Sequence, residues 1–199
     1  MKKILLILLI IFITGSSFAQ EDDEKMQTLI NAPVKIRGYI GPLMTYSSID
    51  GEYAYMSGFI ASAIFNDKIL FGFYSQSLET PSYSNNDNYQ DADMNFEHQG
   101  ISIGYIFMPK KLIHFTANLM GGKGSLEVYN NLTEKWVKDD IIFNIKPMVE
   151  AEVNIFRFLR VGLGVNYNFA FDIDQIAGYT DQNFSGFGGN LSFKFGLFK

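Results

Sequence analysis

Apolar and polar residues alternate along much of the chain after residue 33. The clearest run is 159–171, where odd positions carry Leu, Val, Tyr or Phe and even positions carry Arg, Gly, Asn or Ala. Successive side chains of a β-strand point to opposite faces, so a period of two predicts a strand with one apolar face. Because a shift of one residue would exchange the two faces, the pattern also defines the register of the strand.

The same alternation predicts eight strands and no helix after residue 33, each strand long enough for the roughly 9–11 residues that a tilted membrane strand needs. The apolar face of the second strand stays open, because Tyr55 and Phe59 compete with Met56 and Ile60. Pro147 lacks a ladder donor and predicts a bulge or a weak point in the sixth strand. The predicted strands are 34–46, 53–65, 68–78, 96–107, 112–126, 141–155, 159–171 and 187–197.

The connections between these strands alternate in length. Short turns are predicted at 66–67, 108–111 and 154–157, and longer loops at 79–95, 127–140 and 172–183, after a modest first loop centred on Asp50 and Gly51. Short turns on one side and longer loops on the other are typical of transmembrane barrels. The sequence therefore predicts an all-β, eight-stranded antiparallel up-and-down transmembrane β-barrel whose termini both lie on the short-turn, periplasmic side.

Three features predict that the apolar face points outward to lipid. The polar face consists largely of Gly, Asn and Ser, which suits a narrow lumen better than a charged, water-facing surface. The chain ends within a strand, and aromatic residues concentrate near the strand ends, as in two interfacial girdles. A soluble secreted barrel that buries its apolar face is the alternative. The expected girdles are Tyr46, Tyr53, Tyr55, Phe96, Tyr129, Tyr167, Phe169, Phe171 and Phe187 at the long-loop rim, and Phe65, Phe107, Phe156, Phe158 and Phe195 at the short-turn rim.

The first residues have the three parts of a secretory signal. Lys2 and Lys3 precede an apolar run at 4–13, and small residues follow it. The apolar run is shorter than the roughly 20 residues that a spanning helix needs. We therefore expect a signal peptide at 1–19 that is cleaved between Ala19 and Gln20, a periplasmic lead-in at 20–33, and the barrel at 34–199.

Composition narrows the possible chemistry. The chain has 199 residues and no cysteine, so disulfides and cysteine-ligated metals are excluded. Its formal net charge of −5 argues against a nucleic-acid partner. Charged residues make up only 19% of the chain while aromatic residues make up 16%, which fits a lipid-facing belt that excludes charge.

The signal sequence, the eight strands and the aromatic last strand together resemble small outer-membrane β-barrel proteins of the OmpA/OmpX type. The resemblance implies an outer-membrane location and contact with outer-membrane lipid and lipopolysaccharide. It also implies recognition by the barrel-assembly machinery through an aromatic signal in the last strand, here Phe195 and Phe198. That signal ends in an aromatic residue in the family, whereas this chain ends in Lys199.

If the apolar face is outside, six charged residues of the strands point into the lumen. Buried charges are costly unless they are paired, so we expect one ion-pair network in the periplasmic half of the lumen. A three-residue turn at 155–157 would place Glu152 directly opposite Arg160. The expected role is to fill the lumen; a gated path for protons or ions is the alternative. The six residues are Arg37, Lys146, Glu150, Glu152, Arg160 and Lys194.

No pattern in the sequence predicts a catalytic residue, a metal site or a cofactor. His114 and Thr116 share a strand face, but that face points into the lumen, and the hydroxyl that shares the face of His98 lies four residues away. The acidic loop with Asp87, Asp91 and Asp93 lacks the spacing of a twelve-residue calcium loop.

We therefore expect an outer-membrane barrel without an open pore that has a structural or adhesion role through its loops. The alternatives are an accessory subunit of a secretion or uptake machine with an unknown protein partner, a lipid A-modifying enzyme, and a soluble ligand-binding barrel. Aromatic loop residues suit binding to a partner. The candidate loop contacts are Tyr83, Tyr89, Trp136 and Tyr179.

Overall fold

The structure is a computed structural model that describes residues 33–49, 51–79, 82–83, 92–130, 135–176 and 178–198. The predicted signal peptide, its cleavage site between Ala19 and Gln20, and the lead-in up to residue 32 lie outside the described residues. The barrel strands are β1 (Ile36–Ile49), β2 (Glu52–Phe65), β3 (Ile69–Leu78), β4 (Ala92–Phe107), β5 (Ile113–Asn130), β6 (Lys135–Phe156), β7 (Leu159–Phe171) and β8 (Gly186–Leu197).

The eight strands form a closed antiparallel barrel. Each strand pairs with its neighbours in the chain, and β8 pairs with β1 to close the sheet. The structure therefore confirms the predicted eight-stranded up-and-down fold. A two-residue strand, Ser82–Tyr83, adds to the edge of β4, and a 3₁₀-helix, Asp181–Phe184, precedes β8. Among the described residues, no helix is both long and apolar enough to cross a membrane.

The pairing register sets the tilt of the strands. Starting at Phe169 of β7, one can step from each residue to its partner on the next strand until the path has gone once around the barrel. The path then arrives at Leu159 of β7, ten residues from where it began. A shift of this size in an eight-stranded barrel corresponds to a strand tilt of about 40° and an interior just wide enough for side chains. The path passes through outward positions, in the order Phe169, Ile145, Gly121, Ile101, Phe73, Ala61, Ile40, Phe195 and Leu159.

The outward face is apolar over most of the barrel's height. In β7, Leu163 and Val165 are 68% and 65% exposed, whereas Arg160 and Asn166 on the other face are buried. The open question about β2 is also settled, because Phe59 faces outward while Met56 and Ile60 are buried. This arrangement is the reverse of a soluble protein, in which large exposed apolar patches are rare.

Toward the long-loop end of β4 the two faces exchange character, although its pairing with β3 and β5 continues without a shift in register. In β4, Glu97 and Gln99 are exposed on the outer face, while Met94 and Phe96 are buried inside. The expectation that Phe96 belongs to the outer aromatic girdle is therefore wrong. The outer surface of β4 is therefore polar toward the long-loop end, whereas the outer wall below it is apolar.

Strand extensions also shorten the predicted loops. Strands β4, β5 and β6 continue to Ala92, Asn130 and Lys135, so most of the expected loop at 127–140 is a hairpin. Backbone hydrogen bonds hold these segments together, and such bonds require no apolar face. The alternation of apolar and polar residues in the sequence therefore cannot reveal where the strands end.

The lumen is filled by side chains and is more apolar than expected. One cluster near the long-loop end includes Phe96, Leu126 and Ile142. A second cluster comes mainly from β1 to β4 and includes Leu43, Ile60, Leu70 and Tyr74. The expected lining of Gly, Asn and Ser holds for β7 and β8 but not for β2 and β3.

The β6–β7 ladder has a gap between Ile145 and Met148, the span that contains Pro147. Pro147 still lies opposite Leu119 of β5 in the ladder on the other side of β6. A proline lacks the donor that a ladder bond requires, so the gap agrees with the expected weak point.

Candidate functional site

A buried cluster of charges crosses the lumen from β6 to β8. The ammonium group of Lys194 on β8 lies 2.6 Å from a carboxylate oxygen of Glu150 and 2.6 Å from one of Glu152, both on β6. All three side chains are at most 2% exposed. Two carboxylates therefore share one lysine in a space with almost no access to water.

Two glycines of β7 open the path between these strands. Gly164 lies opposite Glu150 in the ladder, and Gly162 lies opposite Glu152. A Cβ atom on Gly162 would come within 2.6 Å of the Ser192 hydroxyl and 3.0 Å of a Glu150 carboxylate oxygen. Because β7 carries no side chain at these positions, the glutamates reach across it to β8.

Further polar side chains contact the two carboxylates. Glu150 accepts hydrogen bonds from Asn190 at 2.9 Å and from Ser192 at 2.7 Å. Glu152 accepts a hydrogen bond from Thr116 at 2.6 Å, and a ring nitrogen of His114 lies 3.1 Å from it. Buried charges are tolerated only when their hydrogen-bonding capacity is used in this way.

Arg160 is the second cation beside this cluster, and its position corrects the predicted turn. A guanidinium nitrogen of Arg160 lies 3.9 Å from Glu152, yet Glu152 stands opposite Gly162 in the ladder, not opposite Arg160. The predicted three-residue turn is wrong because β6 runs to Phe156, and a register shift before that residue leaves a two-residue turn.

The other two predicted cations have different partners. Arg37 forms an ion pair with Asp67 at 2.9 Å and donates to the backbone carbonyl of Phe198. Lys146 donates to the side-chain carbonyl of Gln76 and lies 5.7 Å from the centre of the Tyr74 ring. The six predicted residues therefore form three groups instead of one network.

The sequence reasoning missed the neutral members of the cluster: Thr116, Asn190 and Ser192, together with His114 as a hydrogen-bond partner. The sequence does contain a pattern that could have indicated the cluster. Two inward glutamates, two residues apart on β6, lie opposite two inward glycines with the same spacing on β7. When a glutamate lies opposite a glycine, no side chain blocks its path, so its carboxylate can extend past the neighbouring strand.

The segment between β7 and β8 forms an apolar plug at the long-loop end of the lumen. Its members Ile173, Ile176, Tyr179 and Phe184 are at most 6% exposed and pack in the cluster that contains Phe96. Tyr179 lies 5.7 Å from the Phe184 ring, so the expectation that Tyr179 is a surface contact is wrong.

An aspartate of β6 anchors the start of this plug. Asp140 on β6 is buried, and one of its carboxylate oxygens accepts the backbone N–H groups of Asp174 and Gln175, both at 3.0 Å. Asn168 also donates to the Phe184 carbonyl at 2.8 Å. The predicted loop at 172–183 is thus a folded element that closes the lumen.

The remaining predicted contacts are only partly described. Tyr89 lies outside the described residues, as do the side chains of Tyr83 and Trp136, although the Trp136 backbone pairs with Tyr129 within the β5–β6 hairpin. Of the predicted assembly signal, Phe195 is exposed on the outer face, whereas Phe198 turns inward. The Phe198 ring lies 3.9 Å from the guanidinium carbon of Arg160.

Neither histidine lies at the outer surface. His114 and Thr116 are both fully buried and both contact Glu152. His98 is buried between the rings of Tyr74 and Phe96. No group of three or more His, Cys, Asp or Glu residues within the described ranges could hold a metal ion. Asp87 and Asp91 of the acidic loop fall outside those ranges.

Comparison with known proteins supports the fold. The sequence matches no protein-family model, and no curated protein matches it. The crystal structure of Neisserial surface protein A, NspA, aligns with a TM-score of 0.56 over 84% of this chain and 100% of NspA, at 12% identity. Ail, the attachment invasion locus protein of Yersinia pestis, aligns with a TM-score of 0.48 over 81% of this chain and 97% of Ail, at 10% identity. The chain thus has the eight-stranded fold of the small outer-membrane β-barrels.

Proposed function

We propose that the protein is an outer-membrane barrel without an open pore that presents its long-loop end at the cell surface for a structural or adhesion role. The observation that carries the proposal is the reversed polarity of the wall, in which large apolar side chains face outward and charges are buried inside. That pattern favours a lipid environment over a soluble ligand-binding barrel.

The filled lumen supports a role without transport. The apolar plug closes the long-loop end, and the Glu150, Glu152 and Lys194 cluster fills the space below it. A surface role also accords with the fold of NspA, which is named a surface protein. Aromatic residues at 83, 89 and 136 supply candidate contacts for a partner.

Outer-membrane lipid and lipopolysaccharide would surround the apolar belt in this account. The barrel-assembly machinery would insert the chain through its last strand, where Phe195 lies on the outer face. His114 and Thr116 lie inside the barrel, away from the outer surface, so they do not support a lipid-modifying reaction.

Cysteine labelling tests the location and the orientation together. The chain has no cysteine, so Gln182→Cys at the long-loop end and Lys110→Cys at a short turn each provide a single thiol. Both native side chains are exposed. We expect a membrane-impermeant maleimide to label Q182C on intact cells and K110C only after the outer membrane is permeabilised. Recovery of the protein in the soluble periplasm, or the opposite labelling pattern, would contradict the proposal.

The adhesion role needs its own test. Cells that produce the wild-type protein should adhere to host-cell surfaces more than cells without it, and the triple variant Tyr83→Ser, Tyr89→Ser, Trp136→Ser should lose that gain. Maleimide labelling in the Q182C background controls for equal amounts at the surface. Equal adhesion by the wild type and the triple variant would contradict a role of these three aromatic residues in adhesion.

A further inference from the structure

The short-turn end of the barrel contains a basic cavity with no assigned role. It has a volume of about 640 Å³, within the usual range of roughly 300–1,000 Å³ for ligand pockets. We call this cavity the basic vestibule. Its lining comes from the start of β1, the turns after β2, β4 and β6, the start of β7 and the C-terminal end of β8, and its charged members are Lys35, Arg37, Asp67, Lys110, Arg157 and Arg160.

The charges of the vestibule are strongly unequal. Five of the described residues that line it are cationic, and Asp67 is the one acidic residue among them. Asp67 lies within ion-pair distance of both Lys35, at 3.4 Å, and Arg37, at 2.9 Å. The exposed side chains of Lys110 and Arg157 have no ion pair with a described carboxylate, so the vestibule keeps a clear excess of positive charge.

The inner wall of the vestibule is fixed in place. Arg160 is 5% exposed, stacks on the Phe198 ring, and has a buried Nε atom without a hydrogen-bond partner among the described residues. Arg37 is held by Asp67 and by the Phe198 carbonyl. Two positioned guanidinium groups therefore lie at the base of the cavity, and the exposed cations Lys110 and Arg157 lie at its rim.

We propose that the basic vestibule binds a multiply charged phosphate group, carried either by an anionic phospholipid or by a soluble polyphosphate. Guanidinium groups match the geometry of phosphate oxygens and form charge-assisted hydrogen bonds with them. A ligand with several negative charges fits the positive charge that remains after Asp67 and Glu152 are counted better than a single carboxylate does. The site is separate from the long loops, so it does not depend on the surface role proposed above.

Binding is tested with the purified barrel in a phosphate-free, non-ionic detergent and with inorganic tripolyphosphate as the probe. Calorimetry should show saturable binding by the wild type that weakens as salt is raised, because the rim charges are screened. The double variant Lys110→Gln, Arg157→Gln should weaken binding about tenfold, the effect of losing roughly 0.7 kcal/mol at each exposed charge.

A charge-matched control is available on the short turns after β2 and β4. Lys68 and Lys111 are also exposed, but they do not line the vestibule. The variant Lys68→Gln, Lys111→Gln should bind tripolyphosphate within about twofold of the wild type, as expected for sites outside the contact. Both double variants should keep the heat-dependent gel shift of a folded barrel. An absence of saturable binding by the wild type, or an equal loss in the two double variants, would overturn the proposal.

A second arm identifies the source of the phosphate. The wild type and the K110Q/R157Q variant are released from bilayers that contain phosphatidic acid, whose phosphomonoester carries up to two negative charges, and are analysed by native mass spectrometry. Phospholipid retained by the wild type and lost from the variant assigns the vestibule to a lipid head group. Tripolyphosphate binding without retained lipid assigns it to a soluble polyphosphate.

Discussion

At the scale of single residues, the lumen shows how charge is accommodated inside a narrow barrel. Lys194 serves two carboxylates at once, and each carboxylate has further donors from β5 or β8. Removal of one member leaves an uncompensated charge where water cannot reach it. Removal of a matched pair leaves a smaller defect, so the members of this cluster should not contribute independently to stability.

Lys194→Met tests this coupling. We expect the substitution to lower the free energy of unfolding by about 3–5 kcal/mol, because Glu150 and Glu152 would lose their shared cation. Adding Glu150→Gln to that variant should recover part of the loss. Denaturant titration in detergent micelles, followed by the gel shift of the folded barrel, measures both changes. Strictly additive losses would contradict the coupling, and exposed Lys68→Met should stay within about 0.5 kcal/mol of the wild type.

Gly162→Ala tests the space that the glutamates use to cross β7. The new methyl group would meet Ser192 and Glu150 at 2.6 and 3.0 Å, so the carboxylate must move away from its partners. We expect a loss of about 1–3 kcal/mol, as for other overpacked sites. Gly189→Ala is the matched control, because its nearest described neighbour would lie 4.0 Å away. Equal losses in the two variants would show that the effect belongs to the backbone and not to the crossing.

At the scale of secondary structure, alternation identified the strands and failed at their ends. The faces of β7 and β8 could be predicted because apolar residues occupy one side of each strand and small polar residues occupy the side that faces the lumen. Toward the long-loop end of β4 the apolar and polar faces are exchanged while the period of two remains. Phe96 was misassigned for this reason, since an aromatic residue near a strand end looks the same whether it faces lipid or the interior.

The candidate site was predictable in part. The parity of the strands showed that six charged residues point inward, but parity along one strand carries no information about partners across the lumen. Lys146 and Arg37 are separated from the central cluster because of the ten-residue shift around the barrel. Only the pairing of residues between neighbouring strands determines that shift. The plug was missed because the segment from 172 to 183 is short, irregular and only moderately apolar.

Asp140→Ala tests the anchoring of the plug. Loss of the carboxylate that accepts two backbone N–H groups should accelerate amide hydrogen exchange at 174–176 by about tenfold or more, since charge-assisted bonds contribute roughly 1.5–3 kcal/mol each. Exchange within β7 should not change. Asp174→Ala serves as the control, because Asp174 is exposed and contributes only its backbone. Unchanged exchange in the Asp140 variant would mean that apolar packing and the other hydrogen bonds, such as the one from Asn168 to Phe184, hold the plug without this carboxylate.

At the scale of the whole molecule, the barrel consists of two environments stacked along one set of strands. The lower part has an apolar outer wall and a buried charged cluster, and the upper part has a polar outer wall and an apolar interior. A protein surrounded by water throughout would have no reason to change polarity at one level. The change is explained if lipid surrounds the lower part and water surrounds the hairpins above it.

Fluorescence quenching by lipid tests this account most directly. The chain has one tryptophan, so Trp136→Phe gives a silent background into which Leu163→Trp, on the outer wall, or Gln182→Trp, at the long-loop end, is introduced. In bilayers with brominated acyl chains, we expect L163W to emit at short wavelength and to be strongly quenched, while Q182W remains bright and is quenched by acrylamide. If L163W is not quenched by the brominated lipid and is quenched by acrylamide instead, the apolar wall does not face lipid.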